Sequence, residues 1–331
     1  MAMIGSLLLG GAASCTRAPA APAAPQKPLK PLHEGPLTDY VPAAALRWML
    51  IGKPRSLLAN PAIAPATKLL IPQTRWEAFE LASGVDLRQV RDALVAGFDF
   101  GTLYAFQPVA GTAPQAVKRF RDRIVSRERI YRPDPRIDRI TGIIGTTPET
   151  LVRIDQSLVA VAVGDPMPAR VVEAFALGRL SRSPNALRGA ALSTLGEPPK
   201  GALATFYAPG PFPQEWARGA SGLLAQAFAA RISMAPLDAE RAHFELELTG
   251  EFPPDGAERL RVAYAALVQS ALGKLVGLDQ PAAEPLVLER GDHLQLEVDL
   301  EIMPIARGLR AAVISDVWEI LNLSAPNRAK D

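Results

Sequence analysis

"HFELELTGEF", residues 243–252, and "HLQLEVDLEI", residues 293–302, each alternate with a period of two. Phe244, Leu246, Leu248 and Phe252 fall on one side of the first stretch, and Glu245, Glu247, Thr249 and Glu251 on the other. In the second, Leu294, Leu296, Val298, Leu300 and Ile302 alternate with Gln295, Glu297, Asp299 and Glu301. Successive side chains of a strand point to opposite faces. This alternation therefore predicts an antiparallel sheet with one covered face and one face in water. It argues against a doubly wound parallel fold and against a transmembrane barrel, whose strands are more numerous and evenly spaced.

The flanking sequence extends the pattern. "ARISMAPL" pairs with the first stretch, "DGAERLRVAYAALVQSALGKLVG" reads as one long helix, "PLVLERG" as a strand, and "IARGLRAAVISDVWEILNL" as the final helix. The first half has the same order. "ALVAGF" and "TLYAFQ" are strands around a turn at residues 99–101. "APQAVKRFRDRIV" is a helix, "RITGIIG" and "SLVAVAVG" are strands, and "PARVVEAFAL" is a helix. Upstream, "VPAAALRWML" and "TRWEAFELASG" read as short helices that offer Trp48 and Trp76 to a core, and Asp86 reads as a helix N-cap. "GIIGTTPET" lacks a phosphate-loop core and reads as a strand ending in a turn and helix cap.

The expected fold class is α+β: mainly antiparallel sheets with helices on one face, arranged as two similar ββαββα units. The phrases "VGDPMPARVVEAF" and "LEIMPIARGLRAAV", with Pro168 and Pro304 at helix-opening positions, carry the repeat. The expected boundaries are a signal peptide at 1–14, a lipidated cysteine and Pro-rich tether at 15–36, α+β units at 37–200 and 201–324, and a tail at 325–331.

A chain of 331 residues buries a core without a disulfide or metal. Residues 1–36 hold Arg17, Lys27, Lys30 and one acid, Glu34, so the whole formal net charge of +2 resides there. The body is neutral overall, and its charge gives no argument for a nucleic-acid partner.

The N-terminal residues "MAMIGSLLLGGAAS" are apolar, free of acids and too short to span a bilayer. Cys15, the single cysteine, follows Ala12, Ala13 and Ser14. This stretch resembles the bacterial lipobox, in which small residues precede a cysteine. Ala12 stands where leucine is usual, and no Lys or Arg precedes the apolar run. The resemblance implies an acylated Cys15 at the mature N-terminus. With Thr16 rather than aspartate following, it also implies export to the outer membrane, facing the periplasm or the surface. Pro19, Pro22, Pro25, Pro28 and Pro31 recur every third residue, the repeat of a polyproline II helix. Roughly eighteen such residues at about 3.1 Å each make a spacer of roughly 55 Å. Two or three acyl chains on one cysteine anchor stably, where one chain binds only marginally.

Catalytic motifs do not stand out. There is no G-x-S-x-G elbow, no P-loop and no H-E-x-x-H. His243 and His293 each open a strand and lack a third ligand, so no metal and no cofactor is expected. The carboxylates at 245, 247, 251, 297, 299 and 301 read as a solvated strand face, since glycoside hydrolysis needs an enclosed carboxyl pair. Residues 118–139 hold nine basic and four acidic residues, and 237–301 hold fourteen acids and five bases, so the two regions are expected to pair with each other. The remaining share of the arginines could meet lipid headgroups or acidic wall polymers. "FYAPGPFPQEWARG" offers Tyr207, Phe212 and Trp216 as a candidate ligand groove.

The expected function is that of an envelope lipoprotein acting as a non-enzymatic binding or assembly module. Its partners would be the membrane, through its anchor, and an envelope protein or polymer. Two alternatives stay open: a periplasmic hydrolase whose site is assembled only in three dimensions, and a lipid or lipoprotein carrier with an apolar cavity between sheet and helices.

Overall fold

Residues 46–52 form a strand, β1 (Leu46–Gly52), and not the short helix that the Ala, Leu and Met content of residues 41–50 suggests. Helix propensity is a weak preference, and here two neighbouring strands override it. β1 pairs antiparallel with β2 (Val90–Phe98) on one side and with β8 (Ala204–Pro209) on the other. In the computed structural model, residues 29–108, 113–180, 185–214, 216, 221–279, 281 and 283–314 are described. The signal-like segment, Cys15 and most of the proline tract lie outside them, as does the tail beyond 314.

The chain divides into residues 1–32 and a body of residues 33–331. Among the described residues, the body is an α+β fold built on one antiparallel sheet of twelve strands. The remaining strands are β3 (Gly101–Pro108), β4 (Ser126–Asp134), β5 (Ile137–Ile144), β6 (Thr147–Ile154), β7 (Leu158–Gly164), β9 (Ala227–Pro236), β10 (Arg241–Gly250), β11 (Leu286–Arg290) and β12 (His293–Glu301). The spatial order is β11-β12-β10-β9-β8-β1-β2-β3-β7-β6-β5-β4. The helices are α1 (Pro54–Ala59), α2 (Ala64–Leu70), α3 (Gln73–Ser83), α4 (Ala113–Arg123), α5 (Met167–Ala176), α6 (Gly256–Gln269), α7 (Ala271–Leu275) and α8 (Ile302–Ile314).

The expected units at 37–200 and 201–324 meet inside this one sheet, because β1 joins β2 to β8. The run β2-β3-β7-β6 has the same connection order as β9-β10-β12-β11. In the first run, a hairpin of β4 and β5 is inserted between α4 and β6, so the half is longer than the ββαββα reading. "GIIGTTPET" is the β5–β6 hairpin, turning at Gly145 with φ +60, and leads to no helix. Asp86 caps only a short 3-10 turn, accepting from the Arg88 amide at 3.0 Å, before β2 begins. The long helix breaks at Ser270, whose amide closes α6 on Ala266 and Leu267 before α7 starts.

Helices cover both faces, a correction to the single covered face expected from alternation. Ala116 and Phe120 of α4 pack with Ile140 of β5 and Leu151 of β6. The residue next to Ile140, Arg139, points the other way and meets Glu173 of α5 at 3.0 Å. At the other end, Ile302 and Ala306 of α8 pack with Ile63 and Ala66 at α2, and Leu260 of α6 packs with Leu248 and Leu294.

The N-terminal boundary also shifts. Residues 33–36, counted with the tether in the sequence, belong to the body. The His33 amide donates to Ala176 O at 2.8 Å, its ring meets Phe175 edge-on, and Gly35 O accepts from Gln107 Nε2 at 3.1 Å.

The arginine-rich segment forms α4, β4 and β5 at one end of the sheet. Nine strand steps separate β4 from β10, about 43 Å at roughly 4.8 Å each. The expected pairing with the acids of 237–301 is therefore ruled out for the sheet residues. The arginines pair locally instead: Arg121 with Glu128, Arg123 with Glu149, Arg132 and Arg153 with Asp138, and Arg136 with Asp134. Burial pushes the Asp138 carboxyl up, but hydrogen bonds from Arg132 and Arg153 and their charges outweigh it and hold the group below its usual value. Its contribution to stability is thus present above the unfolded-state value near 3.9 and is lost as pH falls through the lowered one. Asp138→Asn is expected to flatten this acid limb in urea unfolding measured from about pH 5 to pH 2. An unchanged limb would show that the pair does not stabilise the fold.

Candidate functional site

The register places one residue of every strand in a single line. Ile130, Ile140, Leu151, Val161, Tyr104, Val95, Leu50, Phe206, Ile232, Leu246, Leu296 and Val287 are consecutive cross-strand partners from β4 to β11. Direct partners share a face, so this is one apolar row across the whole sheet. α4 covers Ile140 and Leu151 near one end, and α6 covers Leu296 and Val287 at the other. Between them the row is open: Tyr104 is 37% exposed, Leu50 41% and Ile232 45%, with Val95 and Phe206 half-buried, while Val161 and Leu246 at the two ends pack against the clusters under α4 and α6. Trp48 flanks the open part and stacks on Phe206 with ring centroids 6.3 Å apart. Gly97, opposite Trp48, makes room for the indole, since a Cβ there would lie 2.4 Å from Trp48 Nε1.

The other face of the same strands is polar and closed. Tyr207, Arg231 and Glu247 are cross-strand partners, as are Thr205, Ser233 and Glu245. Glu245 and Glu247 are buried, contrary to the solvated face expected for them. The Arg231 guanidinium donates to Glu245 and, at 2.8 Å, to Glu247. Its other arm donates to Gly196 O, and the Gly196 amide returns to the Glu247 carboxylate at 3.1 and 3.2 Å. Thr194 and Thr249 hydroxyls are 2.5 Å apart. Residues 194–196 thus lie across this face, and their bonds to Arg231 and Glu247 replace the water the alternation predicted.

His293 Nδ1 is 2.7 Å from Glu247, and its Nε2 is 3.3 Å from Asp292. His243 Nδ1 is 2.8 Å from Asp299. His243 is therefore engaged by one carboxylate and His293 by two. Among the described residues, no group of three or more His, Cys, Asp or Glu side chains could hold a metal ion. Glu247, with partners on both oxygens, fastens the 194–196 segment to the sheet. Like-charge repulsion between Glu245 and Glu247 is relieved by the one arginine they share.

The candidate groove residues are not brought together. Tyr207 is 4% exposed and faces the closed polar side, where burial pushes its phenol above the usual value. Phe212 packs on the core cluster of Leu223, Leu248 and Leu260, on the apolar side. Trp216 is exposed. Sequence reading missed Arg231 and the apolar row. The signal for Arg231 was a lone Arg-x-Ser pair within an apolar strand. The row needed the register of twelve strands.

No protein-family model matches the chain, and no curated protein does. Solved structures do. The fold resembles that of TP0453. One crystal form of TP0453 superposes with a TM-score of 0.47 at 8% identity, covering 84% of this chain and 99% of that one. A second crystal form gives 0.46 at 10% identity, covering 84% and 97%. Among the described residues, no helix is long and apolar enough to cross a membrane.

Proposed function

We propose that this protein is an envelope lipoprotein, acylated at Cys15 and held off the outer membrane by its proline tract, whose body is a non-enzymatic binding or assembly module. The lipobox-like sequence and the three-residue proline repeat support the anchor. The observation that carries the binding role is the open middle of the apolar row. From Tyr104 to Ile232 it spans four strand steps, about 19 Å at roughly 4.8 Å per step. Exposed apolar patches of this continuity mark interaction sites on soluble bodies. An apolar strip between flanking helices suits the apolar face of one helix, which covers about 19 Å in roughly thirteen residues. The partner chemistry is thus an amphipathic helix of another envelope protein.

Two measurements test this reading. Intact mass and membrane fractionation of the native protein beside Cys15→Ala should give an acylated chain beginning at Cys15, and release of the variant from the membrane. An unmodified full-length chain would end the lipoprotein reading. For the row, Leu50→Glu with Ile232→Glu should weaken binding of the apolar dye bis-ANS by roughly tenfold or more, with the melting temperature unchanged, because both side chains already face solvent. Equal dye binding by wild type and variant would remove the row as a docking face.

A further inference from the structure

β4 is the last strand on its side of the sheet, and its free edge is ill-suited to receive another strand. Register shifts at Ser126–Arg129 and at Tyr131–Asp134 bulge it twice, and Pro133 has no amide hydrogen to donate. Arg127, inside the first bulge, has φ +57, in the left-handed region that an arginine rarely adopts. The edge is also basic. Residues 118–132 hold seven basic and two acidic side chains, all of them exposed, which leaves a large local excess of positive charge. Arg121 holds Glu128, Arg123 reaches Glu149, and Arg132 holds Asp138. Lys118, Arg127 and Arg129 have no carboxylate partner among the described residues. Lys118 lines the cleft between α4 and β4 together with Arg121 and Glu128, so it shares this edge.

Apolar side chains stand among these cations. Val125 is 68% exposed, and Ile130 and Tyr131 are exposed beside it. A soluble polyanion engages only the charges of such a surface. The boundary of an anionic bilayer engages both chemistries, because phosphates meet the cations while apolar and aromatic side chains enter at headgroup depth. The far end of the sheet has the opposite sign, with fourteen acids and five bases in residues 237–301. Eleven strand steps, about 53 Å at roughly 4.8 Å each, separate β4 from β11. Charges are screened over about 8 Å at physiological salt. An anionic plane at the β4 edge therefore meets the basic end alone, although the body as a whole is neutral.

We propose that the β4 edge is a membrane-docking surface for a bilayer containing anionic phospholipid. Lys118, Arg127 and Arg129 meet lipid phosphates, and Val125, Ile130 and Tyr131 enter the headgroup boundary. Docking by this edge turns the acidic end of the sheet away from the membrane. The contact is separate from the acyl anchor at Cys15 and from the open middle of the apolar row, so each of the three can fail alone.

The test is co-sedimentation of the full chain carrying Cys15→Ala, which removes acylation, with vesicles of phosphatidylcholine alone or with about 25% phosphatidylglycerol, in about 0.1 M NaCl. Binding to phosphatidylcholine alone reads the contribution of the apolar N-terminal segment. The anionic vesicles should bind roughly tenfold tighter or more, and about 0.5 M NaCl should remove that gain. A cation near an anionic surface is worth about fivefold in partitioning, so Lys118→Gln, Arg127→Asn and Arg129→Gln together should weaken binding roughly a hundredfold. Their melting temperature should be unchanged, because all three side chains are exposed and unpaired. Arg127→Lys with Arg129→Lys keeps the charge and should keep the binding. Arg261→Gln, Lys274→Gln and Arg290→Gln, the same loss of charge at exposed positions of the acidic end, should leave binding within about twofold of the parent chain. Val125→Ser with Tyr131→Ser should weaken vesicle binding roughly tenfold and leave binding of soluble polyglutamate unchanged. Equal binding to neutral and anionic vesicles overturns the proposal, as does equal weakening by the two triple variants. Polyglutamate bound as tightly as anionic vesicles, with no effect of Val125→Ser and Tyr131→Ser on either, would make the edge a site for an acidic polymer and would also overturn it.

Discussion

Arg231→Met is expected to destabilise the body by about 3–5 kcal/mol, measured by urea unfolding near neutral pH. The Arg231 side chain is 3% exposed, and those of Glu245 and Glu247 are 10% and 8% exposed. Removing the cation leaves two carboxylates facing each other on adjacent positions of one strand face, with almost no water to solvate them. It also removes the donor to Gly196 O, so the segment that covers this face loses one of its fastenings. The penalty belongs to the orphaned charges and not to the arginine as such. The triple variant Arg231→Met, Glu245→Gln and Glu247→Gln is therefore expected to recover most of the loss, since a buried ion cluster replaced as a unit is often nearly neutral. A single variant that loses less than about 1 kcal/mol would mean that water reaches the cluster and that the closed face is open in solution.

Met49→Ala is expected to cost about 2–5 kcal/mol, the usual range for truncating a fully buried long apolar side chain. Met49 is 0% exposed and sits on β1 between Ala96 of β2 and Tyr207 of β8. β1 is the one strand through which the β2-to-β4 side of the sheet is paired to the β8-to-β11 side. Damage there is felt by both sides, so the variant should unfold in one transition at lower urea, with far-UV circular dichroism and tryptophan fluorescence coincident. Two separated transitions in the variant would show that the sides fold independently and that β1 does not make them cooperative.

These two variants mark where the sequence could and could not be read. The alternation at 243–252 and 293–302 was legible because side-chain direction in a strand has a fixed period, and the two stretches do pair as β10 and β12. The helices at α4 and α5 were legible for the same reason at their own period. β1 was not, because its residues favour a helix and only the pairing of β2 and β8 on either side makes it a strand. β4 was also missed. Its residues are charged and exposed on both faces, as suits a strand at a sheet edge, so no alternation marks it.

The functional surfaces divide along the same line. The sequence by itself determined an α+β class, a neutral body, a single cysteine after an apolar run and a proline tract with a three-residue repeat, because composition and short periods are local properties. Which carboxylates are buried, which arginine neutralises them and which apolar residues stay uncovered were decided only by the tertiary structure. Glu247 and Glu301 look alike in the sequence, but one is fastened beneath Gly196 and the other is exposed. Leu50 and Leu151 lie in the same apolar row, but only Leu151 has a helix over it. Burial is a property of what packs on a residue from distant parts of the chain, and that depends on register, topology and the paths of the connecting segments.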